Sequence, residues 1–521
     1  MDNPVASGTE PTTAAPAASP AAGNGPAPRR GWLARLGGWF DLRLSFRQTL
    51  LPELQHPIPL RAAGPMGWWY VFGSASMTLL LVQILTGVAL ALVYVPAADK
   101  AYESLLYLDY HHPLGWFLRA LHYYAGSGMV VMVLAHMTQV FLHGAYKYPR
   151  ELTWCVGVVL LLCTLGMFFT GQVLRWDPDA YWGLAVGGSM AGRVPLIGPW
   201  VVDLVLGSQI IGGVTLTRFF ALHVFIIPGA LLFFLAVHLW LVLKCGISAP
   251  PVPGQVVDPR TYHVQYEEEL KKGVPFLGDA MVKDGLVSAV AVLAVIVIAA
   301  VVGPKGPTGP PNPVLGGANP RPEWPFLWLF ALLSLSPPGA ETFIIIGLPI
   351  VLILVLFLVP FVSNRGERAP SRRPMAVLAV VVIYAVLTAL TYEGVVSPWS
   401  PVMDAWSGDP VPADIVQRLS PVELQGAAVF QNKNCRNCHA LEGVGGRRGP
   451  DLTTVGMRLT RDQIIDQVSN GTPGGGNMPA YGKQVTPAEM DALADFLHSL
   501  RPPGQPPAVP ANVESRRQAR P

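Results

Sequence analysis

Four histidines lie deep inside long apolar segments of this 521-residue chain, His122 and His136 in one and His223 and His238 in another. The run Cys435-Arg436-Asn437-Cys438-His439 follows near the carboxyl end. Fourteen residues advance a helix by about 21 Å and about 1,400°, within about 40° of four full turns, so His122 and His136 share one face at two depths. Fifteen residues, from His223 to His238, overshoot by about 60° and give nearly the same placement. Two parallel helices built this way clamp two hemes, one above the other, with neutral imidazoles at both axial positions and no position left for oxygen or substrate. Such b-type hemes transfer electrons. The alternative is four polar residues, each satisfied by a neighbouring carbonyl. Against it, ionisable groups inside lipid are rare and usually functional, and four at matched spacing are rarer still.

The second chemistry is that of CRNCH. The cysteines of a C-x-x-C turn form thioethers to heme vinyl groups and the adjacent His439 ligates the iron, a metal or redox C-x-x-C being the alternative. A sixth ligand is needed, and Met478 is the candidate, in the stretch 474–481 ahead of a terminal amphipathic helix, because a His/Met pair raises the heme potential. Met457 and Met490 read as core residues.

The elements that position these groups are membrane helices. Hydrophobic residues make up 51% of the chain and charged residues 13%, and the mean hydropathy is +0.40, which indicates a polytopic membrane protein with a soluble appendage. The net charge of +3 gives no nucleic-acid footprint. Of five cysteines, Cys155, Cys163 and Cys245 lie in or beside apolar segments, so no disulfide framework is implied. Residues 1–30, rich in Ala, Pro, Gly and Thr, read as a disordered tail and not a signal peptide. In 31–56, Trp, Leu and Phe alternate with Arg35, Arg43 and Arg47, as in a basic amphipathic helix on an anionic membrane surface; a solvated linker is the alternative.

Seven apolar stretches are long enough to span a bilayer, at about 68–95, 115–145, 152–174, 217–245, 284–303, 342–362 and 375–393. The run 326–336 is too short and is assigned to a loop. Arg29, Arg30, Arg35, Arg43 and Arg47 precede span one; Lys147 and Arg150 follow span two; Lys244, Lys271 and Lys272 follow span four; Arg365, Arg368, Arg372 and Arg373 follow span six. By the positive-inside rule the amino terminus is cytoplasmic, and an odd number of spans puts the C-terminal domain outside, where c-type heme is attached. Spans two and four are then parallel. His122 faces His223 near the outer surface and His136 faces His238 near the inner one. Gly73, Gly87, Gly126 and Gly128 leave room for a macrocycle, or allow close helix packing.

On these residues the first 393 positions resemble cytochrome b of the quinol-oxidising cytochrome bc complexes, and most closely the cytochrome b6 branch joined to its subunit IV. The similar stretches are KYPRELTW at 147–154, Tyr181-Trp182, 194–199, 208–223 ending in LTRFFALH, 246–250, and the 15-residue spacing of span four. Pro322-Glu323-Trp324-Pro325 resembles the family's PEWY motif at the outer quinol site, with Pro325 in place of the tyrosine. The tail resembles a class I cytochrome c.

The resemblance implies an all-α membrane protein: a four-helix diheme cytochrome b bundle plus three further transmembrane helices, then a small all-α cytochrome c domain. Its parts are 57–250 for the bundle, 251–395 for the subunit IV-like region, 396–419 for a linker, 420–502 for the cytochrome c domain and 503–521 for a disordered tail. It also implies a Q-cycle. Quinol at the outer site gives one electron to a Rieske iron-sulfur protein and the other to the outer heme, and two protons leave outside. Glu323 is then the proton acceptor, its ionisation tuned by burial, a surface loop acid being the alternative. The second electron passes inward and reduces a quinone near the cytoplasmic face.

Implied cofactors are two non-covalent b hemes, one covalent c heme and pool quinone, in a bacterial inner membrane and a homodimeric complex. The branch's extra inner c-type heme is not expected, because Val71 stands at the position of its cysteine. Leu243 and Lys244 stand where the branch has an arginine, which leaves the inner quinone ligands open. Arg119 is a candidate propionate partner of the outer heme, with a structural role as the rival. The fused c heme replaces a separate subunit and hands electrons to a soluble cytochrome, an oxidase or a reaction centre. A non-bifurcating heme-bearing anchor for a dehydrogenase is the competing function; it has no need of the PEWP loop.

Overall fold

The computed structural model describes residues 32–45, 55–207, 211–311, 320–336, 340–396, 410–433, 435–445, 449–471, 478 and 480–509, with the single positions 48 and 52. The expected tail at 1–30, residues 510–521 of the tail expected at 503–521, and residues 397–409 of the linker expected at 396–419 lie outside these residues; within 503–509 the Ala508 amide donates to the Gly456 carbonyl at 2.8 Å.

Residues 1–56 form a unit of their own, whose described residues include helix α1 (Trp32–Leu44). Trp32, Leu36, Trp39 and Phe40 recur at helical spacing and are exposed, while the Arg43 guanidinium lies 4.0 Å from the centre of the Trp39 ring. This is the amphipathic pattern of an interfacial helix.

Among its described residues the second unit contains seven helices long and apolar enough to cross a membrane. They are α2 (Phe72–Ala91), α3 (Gly115–Leu142), α4 (Glu151–Val173), α5 (Gly213–Cys245), α6 (Asp279–Val302), α8 (Phe343–Val362) and α9 (Pro374–Val396). All seven expected spans are present. The run assigned to a loop is instead a short helix, α7 (Leu327–Leu335), with Phe330 and Ala331 buried. It packs against α9, and helical bonding satisfies its backbone where an apolar loop would leave polar groups orphaned.

Helix α2 packs along α3, α5 along α4, and α6 closes on α2 and α3. In α5 a π turn spans Leu222–Ile226, just ahead of Pro228. One turn bonded i→i+5 holds about one residue more than an α turn. It therefore absorbs the odd residue of the 15-residue interval and returns His223 and His238 to one face. Two short ribbons, Val256–Val257 with Gly366–Glu367 and Pro57–Ile58 with Val274–Pro275, tie the loops at one end of the bundle.

The C-terminal domain packs α10 (Pro421–Asn432), α11 (Arg461–Asn470) and α12 (Pro487–Ser499), each started by a reciprocal capping box, Ser420/Glu423, Thr460/Gln463 and Thr486/Glu489. At the α10–α12 crossing the Phe430 and Phe496 rings are 5.6 Å apart. Gly426 sits where any Cβ would collide with the Ala492 carbonyl. Val411 and Ile415 belong to this core, and Arg436, 2% exposed, donates to the Pro410 carbonyl at 2.8 Å. The domain thus begins near residue 410 and not 420; the last part of the expected linker is core, because its apolar residues have a groove to fill.

Candidate functional site

The His122 and His223 rings approach to 6.2 Å between centroids. An imidazole nitrogen sits about 2 Å from a bound metal, so two rings on opposite faces of one iron have centroids roughly 6 Å apart. Thr86 donates its only hydroxyl proton to the Val82 carbonyl at 2.6 Å, and Thr170 to the Gly166 carbonyl at 2.8 Å. Each threonine oxygen therefore accepts from a histidine Nδ1, Thr86 from His122 at 2.8 Å and Thr170 from His223 at 3.0 Å. That fixes the tautomer and leaves both Nε2 lone pairs for a metal.

Glycines clear the space. A Cβ on Gly87 would lie 3.1 Å from His122 Cε1, on Gly171 2.8 Å from His223, on Gly73 3.3 Å from His136 and on Gly157 3.6 Å from His238. Each of the four histidines thus faces a glycine of α2 or α4. Gly126 and Gly128 instead face Gln83, Phe168, Leu79 and Val295, the close-packing role. Gly157 and Gly171 were missed in the sequence, although their separation matches that of Gly73 and Gly87. The residues fit two bis-histidine hemes. The four donors come from α3 and α5, and the room comes from α2 and α4.

The PEWP loop docks against the first of these pairs. Glu323 is 2% exposed. Its Oε1 accepts from Arg175 Nη1 at 3.1 Å, and its Oε2 from the Tyr123 hydroxyl at 2.9 Å and Lys305 Nζ at 2.8 Å. The surface-acid alternative is thereby excluded. Tyr123 is the neighbour of His122 in the chain. Trp324 donates to Ser127 Oγ at 3.3 Å and meets Phe168 edge-on, while Phe326 meets Phe169, next to Thr170. Pro325 lies in the short 3-10 turn Trp324–Phe326 that Glu323 precedes, and Pro322 just before it. Arg175 also pairs with buried Asp177 at 2.9 Å. Arg175, Asp177, Lys305 and Tyr123 were not singled out in the sequence; the charge-dense run Arg175-Trp176-Asp177 at the end of an apolar span was the available signal.

Arg119 forms a two-pronged pair with Asp109, Nε to Oδ1 at 2.8 Å and Nη2 to Oδ2 at 2.5 Å. It also donates to the carbonyls of Lys305, at 2.9 Å, and Gly306. It thus anchors the loop that carries Lys305, the structural role named as its rival reading.

In the C-terminal domain Cys435–Asn437 form a 3-10 turn, and the His439 amide donates to the Cys435 carbonyl at 3.0 Å. His439 Nδ1 donates to the Pro450 carbonyl at 2.9 Å, so Nε2 holds the free lone pair. Burial lowers the His439 pKa and keeps the ring in its neutral, ligating form, and it pushes the Cys435 thiol up to about 12. Any Cβ on Gly449 would collide with the His439 ring. Met478 packs on the same core and lies 3.8 Å, sulfur to nitrogen, from the Gln467 side-chain amide. These residues fit a covalent c-type heme.

Fold and site define a multi-heme membrane electron carrier. Residues 59–246 match the family model Cytochrome b/b6/petB and residues 310–406 Cytochrome b(C-terminal)/b6/petD. Residues 422–497 match Cytochrome C oxidase, cbb3-type, subunit III. The cytochrome bc complex cytochrome b subunit of Chlorobaculum thiosulfatiphilum is 32% identical over 367 residues, 69% of this chain and 80% of that protein. The menaquinol:cytochrome c reductase cytochrome b subunit of Geobacillus thermodenitrificans is 38% identical over 222 residues, 42% of this chain and 99% of that protein. A solved structure titled hyperthermophilic respiratory Complex III superposes with a TM-score of 0.57 at 26% identity, covering 70% of this chain and 92% of that one. The chain belongs to the cytochrome b family, as the cytochrome b subunit of a cytochrome bc-type complex with a C-terminal cytochrome c domain.

Proposed function

We propose that this subunit oxidises membrane quinol beside Glu323 and splits its two electrons, one to a Rieske iron-sulfur partner and one across the membrane to an inner quinone site. The observation that carries this reading is the docking of Glu323, through Tyr123, next to the His122/His223 pair. When bound, the two b hemes and the c heme supply single-electron carriers. The chain's own residues do the rest. Glu323 accepts a quinol proton, and Lys305, whose side chain is 45% exposed, links the buried carboxylate to the water outside. Trp324 and Phe326 fix the loop on α3 and α4. The name of the Geobacillus thermodenitrificans relative points to menaquinol as the pool quinol.

Topology supports a c heme on the same side. Helix α9 ends where Arg321 donates to the Gly394 carbonyl at 3.1 Å, one residue before the PEWP motif. Residues 397–409 span at most roughly 45 Å, so the tether keeps the acceptor domain near that face at high effective concentration. The opposite end gathers the basic loops 143–150 and 363–373, as a cytoplasmic face requires. A bacterial inner membrane, with the cytochrome c domain outside, is the location this implies. No further inner c-type heme is proposed, Val71 having no sulfur to attach one.

The test is heme b absorbance in the isolated complex with quinol present and the inner site blocked, while a pulse of ferricyanide oxidises heme c. Splitting predicts that added oxidant reduces heme b further. Glu323→Gln should slow that transient by about 10²-fold or more, the scale of a lost proton acceptor. Oxidation of heme b in step with heme c would mean a linear relay and sink the reading.

A further inference from the structure

The segment that carries Glu323 is held on both flanks by the last turn of α9. Arg321 Nη1 donates to the Gly394 carbonyl at 3.1 Å and to the Val395 carbonyl. The residue four beyond Gly394 is Pro398, which has no N–H to return the helical bond. These carbonyls are the negative end of the helix dipole, and a guanidinium is the counterpart that satisfies them. On the other flank Gly394 is buried, and a Cβ on it would lie 2.7 Å from the Leu327 carbonyl oxygen and 3.1 Å from Leu327 Cβ. Leu327 opens α7. Residues 321–327 thus begin and end on Gly394, and the PEWP motif lies between the two contacts.

Between these contacts the chain has little freedom. Pro320, Pro322 and Pro325 fix three φ angles, and a residue ahead of proline, as Arg321 is, is confined to extended backbone. Glu323 is extended as well, at φ −64° and ψ 158°. Extended chain advances about 3.3 Å per residue, so the Cα atoms of Arg321 and Glu323 stand about 6–7 Å apart on a short strut. Fixing one end of the strut fixes where the carboxylate starts. Arg175, Tyr123 and Lys305 act on the carboxylate oxygens; Arg321 acts on the backbone that carries them. The other grip on the motif is the single neutral bond from Trp324 to Ser127 at 3.3 Å. Bonds from a charged donor are roughly twice as strong as neutral ones, which makes Arg321 the firmer anchor.

We propose that Arg321 is a positioning residue of quinol oxidation: by gripping the last carbonyls of α9 it seats the strut that holds Glu323 against the quinol. The proposal rests on the reading that quinol is oxidised beside Glu323. Arg321 itself touches neither quinol nor heme in this role. Residues 397–409 leave for the cytochrome c domain from the same end of α9, so the acceptor arm and the quinol-site loop share one anchor. The rival is an ordinary helix cap, which would brace the bundle and leave the chemistry at Glu323 untouched.

The experiment is oxidant-induced reduction of heme b in purified holo-complex, with quinol present and the inner site blocked. Arg321→Gln should slow that transient about tenfold or more, the scale of a misplaced reacting group. In quinol:cytochrome c turnover kcat should fall with it while KM stays within about twofold. Heme contents and midpoint potentials should stay unchanged. Arg321→Lys, whose ammonium still donates to the Gly394 carbonyl, should recover part of the rate. Gly394→Ala keeps the guanidinium but pushes α9 off Leu327, and should slow the transient as well. The sharpest readout is Arg321→Gln added to Glu323→Gln: a residue that acts through Glu323 adds no further slowing to that single variant. Unchanged rates in Arg321→Gln overturn the proposal. So does an additive loss in the double variant, or a loss of heme that accounts for the slowing, since either makes Arg321 a general brace. If Glu323→Gln alone leaves the transient intact, the quinol-oxidation reading falls and takes this proposal with it; slowing by Glu323→Gln but not by Arg321→Gln overturns the proposal alone.

Discussion

The two ends of the membrane bundle solve the burial of charge in opposite ways. At the Glu323 end each buried cation among the described residues has a carboxylate: Arg119 has Asp109, and Arg175 has Asp177 and Glu323. At the Arg368 end the cations rest on backbone carbonyls. The histidines differ in the same sense. His122 and His223 each donate Nδ1–H to a threonine, while His136 Nδ1 has no hydrogen-bond partner among the described residues. On the proposed reading, the carboxylate-bearing end is the one that takes up quinol protons. An acceptor on Nδ1–H also makes an axial histidine more basic and favours ferric iron. The His122/His223 heme should therefore be the lower in potential, which sets the direction of electron flow.

Removing a ligand breaks the comparison outright. His223→Leu should eliminate one b heme, reduce the dithionite-minus-oxidised heme b absorbance by about half relative to heme c, and bring quinol:cytochrome c activity to background; retention of both hemes would refute the ligand assignment. Next in size is a contrast in stability. Arg175→Gln leaves Asp177 and Glu323 buried without their shared cation and should cost about 3–5 kcal/mol, whereas Arg368→Gln, which strands no carboxylate, should cost only about 1–2 kcal/mol. Thermal inactivation of the two variants side by side would reverse the comparison if Arg368→Gln proved the weaker protein.

Glycine clearance offers a third, smaller contrast. Gly171→Ala puts a Cβ at 2.8 Å from the His223 ring and should lower occupancy of that heme, while Gly157→Ala, at 3.6 Å from His238, should be tolerated. Pyridine hemochrome stoichiometry reads both. The finest effect is Thr86→Val. Losing one hydrogen bond of about 0.5–1.5 kcal/mol corresponds to roughly 20–60 mV for a one-electron couple. A redox titration should show the lower b potential rising by that amount while the upper one stays fixed.

The sequence by itself determined the spans, the four histidines, the CRNCH site and the PEWP loop, because each depends on residue type and short-range period. Apolar length is local, and so is the spacing that turns two histidines to one face. Even the irregular 15-residue interval was visible, though only the π turn ahead of Pro228 explains how it closes. The tertiary structure decided what surrounds these groups. Glu323 meets Tyr123 and Arg175 across large separations in the chain, and Arg368 reaches Ser248 and the end of α3 only because a two-residue ribbon pairs Val256–Val257 with Gly366–Glu367. The same carboxylate or guanidinium reads identically in sequence whether paired or alone. Its partner is set by how α2 to α9 pack, since a charge excluded from water must find its counterpart among whatever side chains the packing brings within reach.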